Sequence, residues 1–239
     1  MNDLREQSRL AYLAALGIDV WRVRGASAAG QLAADANVVT GDMPATQAAE
    51  TPLADWTALR DAVSGCTLCP LHESRTQTVF GVGSEQADLM IIGEAPGAEE
   101  DRRGEPFVGR AGKLLDEMLR AIGLDRNVVF IANVLKCRPP GNRDPKPEEA
   151  ATCRRYLDRQ IELLAPRVIL AVGRIAAQQL LGSDQPLGRM RGQPHTLADH
   201  GLPVIVTYHP AYLLRTPAQK RKSWQDLCEV RRMLAESRP

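Results

Sequence analysis

Four short apolar runs constrain this chain more than anything else in it. They are "ADLMIIG" (87–93), "NVVFIANV" (127–134), "PRVILAVG" (166–173) and "PVIVTYH" (203–209). Each is rich in Val and Ile and stays apolar on successive residues instead of alternating. That is the pattern of strands covered on both faces. Helical patterns lie between and after them. "GRAGKLLDEMLRAIGL" places Leu114, Leu115, Met118, Leu119 and Ile122 on one stripe. "KPEEAATCRRYLDRQIELLA" opens with Pro147, Glu148 and Glu149, which suit a first turn and its dipole. "GRIAAQQLLG" stops at a glycine, and "AQKRKSWQDLCEVRRMLAES" follows near the end. Strands alternating with helices imply βαβ units, so the expected class is α/β with a parallel sheet between helices. Such sheets bind ligands at the carboxyl ends of their strands, and the loops there are where chemistry is sought.

The pattern begins only at Leu53. Residues Asp3 to Leu16 fit a short amphipathic helix, and Gly25 to Pro52 read as a flexible linker rich in Ala, Gly, Thr and Gln. The expected organisation is a variable extension and linker over 1–52 and one catalytic domain over 53–239. A length of 239 residues, 44% hydrophobic and 25% charged, accommodates both. Asp3, Glu6 and Asp19 argue against a secretory signal, and no apolar run is long enough for a membrane span. A cytoplasmic, reducing setting is expected. Five cysteines there point to metal or catalysis, not to disulfides. A net charge of +1 gives no global pull toward anions, although a balanced total can hide a basic face.

Cys66 and Cys69 form a C-x-x-C, while Cys137 and Cys153 stand alone far downstream. A second C-x-x-C, the mark of a zinc ribbon, is missing. Four cysteines on separate elements suit an iron–sulfur cluster, but spacing alone leaves zinc and plain core packing open. Cys228 sits at helical spacing among apolar positions and reads as packed.

The loops after the strands carry the other candidates. In "GEAPGAEED", Gly93 and Gly97 allow close backbone approach, and Glu94, Glu99, Glu100 and Asp101 crowd carboxylates. Phe107 lies in a glycine-rich loop off any stripe, as a stacking platform would. Asn133 ends the second run, offering a donor and an acceptor together. His209 ends the fourth, where a ring N–H can meet a developing oxyanion. Leu213, Leu214 and Arg215 suggest an exposed apolar tip followed by a cation, a shape that can wedge into a base stack. Arg138, Arg143 and Lys146 flank the cysteine loop; Arg189, Arg191, Arg215, Lys220, Arg221 and Lys222 flank the later loops. These cations suit a phosphate track.

Taken in order, "CTLCPL", "RTQTVFG", "GEAPGAEEDRRGEPFVGRAG", "NVLKCRPPGNRDP", a cysteine sixteen positions after Cys137, and "HPAYLLR" resemble the family 4, iron–sulfur uracil-DNA glycosylases. The resemblance spans roughly Leu53 to Glu236. It implies a three-layer α/β/α sandwich around a four-stranded parallel sheet. It implies one 4Fe–4S cluster on Cys66, Cys69, Cys137 and Cys153, mainly structural. It implies hydrolysis of the N-glycosidic bond of uracil in single- or double-stranded DNA. Glu94, Ala95, Gly97 and Asn133 would bind the base, Phe107 would stack on it, and His209 would face its oxygen. Related enzymes with "GQDP" carry Asp where this chain has Ala95, so Glu100 is the expected water-activating group. Arg138, Arg143, Leu213, Leu214 and Arg215 would contact DNA. No lysine stands in a pocket motif, so a monofunctional, monomeric enzyme without strand cleavage is expected. Two alternatives stand: a covalent uracil-DNA-binding relative, and a non-catalytic iron–sulfur protein that binds DNA or transfers electrons. The former would carry "GEQPG" and a histidine-bearing insert, which this chain lacks.

Overall fold

A computed structural model describes residues 53–236. The expected helix, linker and extension before Leu53 lie outside the described residues. Helix α1 (Trp56–Ser64) starts where the Asp55 carboxylate accepts the Ala58 N–H at 2.9 Å, an N-cap. A 3₁₀ turn (Pro70–Glu73), strand β1 (Val82–Gly83) and strand β2 (Leu89–Gly93) follow. Then come α2 (Ala98–Arg103), α3 (Arg110–Ala121) and β3 (Phe130–Asn133). After a second 3₁₀ turn (Pro140–Asn142) run α4 (Pro147–Leu164), β4 (Val168–Val172) and α5 (Arg174–Leu181). The last stretch holds α6 (Leu187–Met190), β5 (Pro194–Leu197), β6 (Leu202–Thr207), α7 (Pro210–Arg215), a third 3₁₀ turn (Pro217–Gln219) and α8 (Lys220–Ala235).

The sheet order is β1-β3-β2-β4-β6-β5. The pairs β3–β2, β2–β4 and β4–β6 are parallel, so the expected four-stranded parallel core is present. Antiparallel β1 and β5 close the edges and make the sheet six-stranded. Neither edge strand carries an apolar run: β1 has two residues, and β5 ("PHTL") is mostly open to solvent and led by a proline. Proline is tolerated at such an edge because its missing N–H faces no ladder.

Alternate residues of each strand feed two different cores. Met90, Ile92, Phe130, Ala132, Ile169 and Val206 meet α1, α4 and α5 on one face. Leu89, Ile91, Ile131, Leu170, Val172 and Ile205 meet α3, α7 and α8 on the other. The result is the three-layer sandwich, and it accounts for strands apolar at every position. Buried polar groups are tied down between layers. Thr207 Oγ1 donates to Asp226 at 2.8 Å, and Arg191 donates to the same carboxylate at 2.7 Å. Arg191, expected among the cations flanking DNA, therefore serves this internal network instead.

Candidate functional site

A cavity of about 490 Å³ opens at the carboxyl ends of β2, β3 and β6. Its walls include Glu94, Ala95, Gly97, Glu100, Phe107, Asn133, Arg143, His209 and Arg215. Nine residues expected from scattered loops thus share one space. Pro96, Ala111, Pro139, Asn142, Asp144 and Ala211 complete the lining.

Phe107 is held in place from several sides. Its φ is 54°, the left-handed region that a bulky side chain avoids. Arg126 donates to the carbonyls of Phe107 at 3.1 Å and Pro106 at 2.7 Å, and pairs with Asp116 at 3.1 Å. Gly112 permits the fold of this loop, because a Cβ there would sit 1.7 Å from the Phe107 oxygen. Clamped in this way, the strained residue presents its ring to the cavity. The ring stacks on His209, with centroids 5.6 Å apart and planes inclined by 29°.

His209 caps α7. Its Nδ1 accepts the Ala211 N–H at 3.1 Å, which leaves the proton of the neutral ring on Nε2. Burial, and then the Arg215 charge, push its pKa down to about 4, against a smaller pull from Glu100. At neutral pH the ring is therefore uncharged and donates from Nε2.

Glu100 is anchored by one oxygen. Val108 and Gly109 N–H groups donate to Oε1 at 3.1 and 3.2 Å, fastening α2 to the Phe107 loop. Its neighbour Asp101 is buried and accepts from Thr76 N and Oγ1 at 2.9 and 2.8 Å, so it holds the "RTQT" segment and leaves the cavity. Glu94 faces the cavity, where burial, then Asp144, raise its pKa to about 7, opposed by Arg174.

Asn133 is only 2% exposed. Beneath it lies Lys136, just 1% exposed, whose Nζ donates to the Asn133 carbonyl at 2.9 Å and to Gln160 Oε1 at 2.6 Å. Burial pulls this ammonium down to about 8, while Cys153 and then Cys137 act in the other direction.

The four expected cysteines line one small enclosure with Val63, Arg75, Lys136, Thr152 and Tyr156. Cys66 and Cys69 come from the loop between α1 and the first 3₁₀ turn, Cys137 from the loop after β3, and Cys153 from α4. Arg75 donates to Cys137 Sγ at 3.0 Å, and the Lys136 backbone N–H donates to Cys153 Sγ at 3.3 Å. Tyr156 stands with Cys66 in the same lining. The donor set is all thiol, with neither imidazole nor carboxylate in the lining. One guanidinium and one backbone N–H are aimed at its sulfurs, as suits an anionic thiolate-held cluster. These residues fit an iron–sulfur group. Cys228 stands apart on α8, half-buried.

The expected DNA contacts separate. Arg143 makes a bidentate pair with buried Glu149 at 2.8 and 2.5 Å, which also takes the Lys146 N–H at 2.9 Å. Arg138 donates to Asn142 at 2.7 Å. Leu214 is 38% exposed, but Leu213 is 1% exposed and belongs to the second core. The tip expected at Leu213 and Leu214 is therefore half wrong: α7 is a helix whose inward face, three residues apart, takes Pro210 and Leu213.

Residues 80–228 match the family model described as the uracil DNA glycosylase superfamily. The chain belongs to that superfamily. It is 44% identical over 183 residues to a type-4 uracil-DNA glycosylase of Archaeoglobus fulgidus, covering 74% of this chain and 92% of that protein. It is 48% identical over 156 residues to the type-4 enzyme of Thermotoga maritima, covering 65% and 81%. A type-5 uracil-DNA glycosylase of Thermus thermophilus is 32% identical over 149 residues, covering 55% and 68%. Family membership within the type-4 group agrees with the ordered motifs.

Sequence reading missed Arg75, Lys136, Tyr156 and Arg126. Arg75 and Lys136 stand inside quoted motifs and Tyr156 inside the α4 pattern, but nothing in those patterns tells which group each side chain meets.

Proposed function

We propose that this chain is a monofunctional uracil-DNA glycosylase, in which one 4Fe–4S cluster is held by Cys66, Cys69, Cys137 and Cys153. The observation that carries the reading is the convergence of Phe107, Asn133 and a neutral His209 in one cavity at the sheet's carboxyl edge. The cavity suits a nucleobase turned out of the helix, since a base inside a stack is out of reach. Phe107 stacks on the flat ring, and the Asn133 amide matches its paired donor and acceptor edge. As the glycosidic bond stretches, negative charge grows on the base and positive charge on the sugar. His209 Nε2–H donates to the charged oxygen, and being uncharged it gives up no proton at the start. Glu100, whose Oε1 is fixed by two backbone N–H groups, orients water or steadies the sugar cation with its other oxygen.

Bound at the four thiolates, the cluster supplies a rigid crosslink between α1, the Asn133–Cys137 stretch and α4. Arg138, Arg143, Leu214 and Arg215 would then meet the DNA around the pocket. A monomer is consistent with a cavity lined by one chain, and a reducing, cytoplasmic setting with thiols kept as ligands.

The test is an oligonucleotide with a single uracil, single- or double-stranded, incubated with the protein and then treated with alkali. Cleavage at uracil is expected, without cleavage before alkali. Intact DNA would reject the glycosylase reading, and an adduct surviving denaturation would favour the covalent relative.

A further inference from the structure

Helix α8 presents two unlike outer faces. On one, Glu229, Arg232 and Glu236 pair with one another. On the other stand Lys220, Arg221, Trp224 and Arg231, brought together by spacings of three, four and seven residues. Among the described residues no carboxylate reaches ion-pair distance of these three cations. Trp224 is 42% exposed among them. A single exposed aromatic needs no explanation by itself. Its setting does: more than half of the arginines among the described residues pair with a carboxylate, whereas here cations without an ion-pair partner surround a bare indole.

The helix also points the right way. In its first half, Asp226 takes a hydrogen bond from Thr207 at the carboxyl end of β6. Near its end, the Leu234 carbonyl accepts from Arg167 at the start of β4, at 2.9 Å. Its first turns therefore lie at the sheet edge that carries the cavity, one 3₁₀ turn beyond Arg215 in the cavity wall. Free cations around an exposed aromatic match a polyanion with flat faces. Paired DNA hides those faces; unpaired DNA offers them.

We propose that the Lys220–Arg221–Trp224–Arg231 face of α8 is a second DNA-contact surface, which holds unpaired DNA running on from the pocket, its phosphates on the cations and a base on Trp224. This rests on the reading that DNA is the substrate. The sequence already placed Lys220 and Arg221 among cations suited to a phosphate track; the aromatic platform at Trp224, the addition of Arg231 and the preference for unpaired DNA are new.

The test uses the full-length protein with fluorescent single- and double-stranded oligonucleotides that contain no uracil, so binding is read apart from excision. Trp224→Ala should weaken single-strand binding about tenfold, and Trp224→Phe should restore most of it. Lys220→Ser with Arg221→Ser should flatten the salt dependence of log K by about 1.4. Arg232→Ser, on the paired face, should change neither. For uracil-containing single strands the Trp224→Ala loss should fall on KM. Unchanged affinity and salt slope in the Trp224 and Lys220/Arg221 variants would overturn the proposal, as would a loss of self-association without a loss of DNA binding. Failure of the wild type to excise uracil would reject the glycosylase reading while leaving these binding outcomes to be judged separately.

Discussion

Gly93→Ala is the sharpest probe of how the pocket is built. Gly93 closes β2 with ordinary backbone angles, so alanine brings no torsional strain. Its Cβ would, however, lie 2.4 Å from Asn133 Oδ1 and 2.6 Å from the tip of the Phe107 ring. Carbon contacts settle near roughly 3.5 Å, so both groups would have to retreat by about 1 Å. Phe107 has little room, because Arg126 and Gly112 fix its backbone. Asn133 has little, because Lys136 holds its carbonyl. One methyl group therefore pushes on both base-binding residues at once. Displacement on that scale costs about 10²-fold in kcat/KM. The overpacking costs about 1–3 kcal/mol of stability. The assay is single-turnover and steady-state excision from a uracil oligonucleotide, with thermal melting in parallel. Gly188→Ala is the control, since a Cβ there meets nothing within 4 Å. A Gly93→Ala enzyme with wild-type kcat/KM would refute the packing described for Phe107 and Asn133.

Other outcomes follow from the same geometry. His209→Ala should lower kcat about 10²–10³-fold with the cluster's visible absorbance unchanged, as measured by excision and by absorption spectra. Glu94 is neutral below about pH 7 and charged above it, and a carboxylate there opposes the anion forming on the base; kcat should fall as pH rises through that value, and Glu94→Gln should remove the limb from the profile. Cys137→Ala should lose the visible absorbance and much of the thermal stability, read by spectra and melting; a coloured, stable variant would contradict the ligand set. Arg191→Ala should destabilise the fold by about 3–5 kcal/mol in urea, because it strands the buried Asp226 carboxylate.

The sequence reading reached what periodicity and motif order can carry. The central strands were legible because burial on both faces writes a continuous apolar run, and α4 because Pro147 and two glutamates mark its start. Edge strands β1 and β5 were illegible for the converse reason: short or wet segments need no apolar pattern. Helix α2 was read as loop because "AEEDRR" has no apolar stripe, its inward residue being Asp101. Leu213 and Leu214 were read alike, and only the helical phase of α7 separates a core leucine from a surface one. The pocket residues were legible through glycine-rich and strand-end loops. Their supports, Arg126 and Lys136, were not, since a hydrogen bond across 19 residues or from below a strand leaves no local mark.

The short run from Asn133 to Cys137 has one more implication. Asn133 sits in the pocket wall and Cys137 in the thiol enclosure, with Lys136 fastened to both sides of that span. The length of this stretch is therefore a fixed gauge, and a single inserted residue would detach pocket from cluster. Just beyond it, Gly141 lies exposed with open space around it. Length variation among relatives should thus be barred before Cys137 and tolerated at the Pro140–Asn142 turn, where a longer loop could reshape the surface around the pocket without touching the gauge.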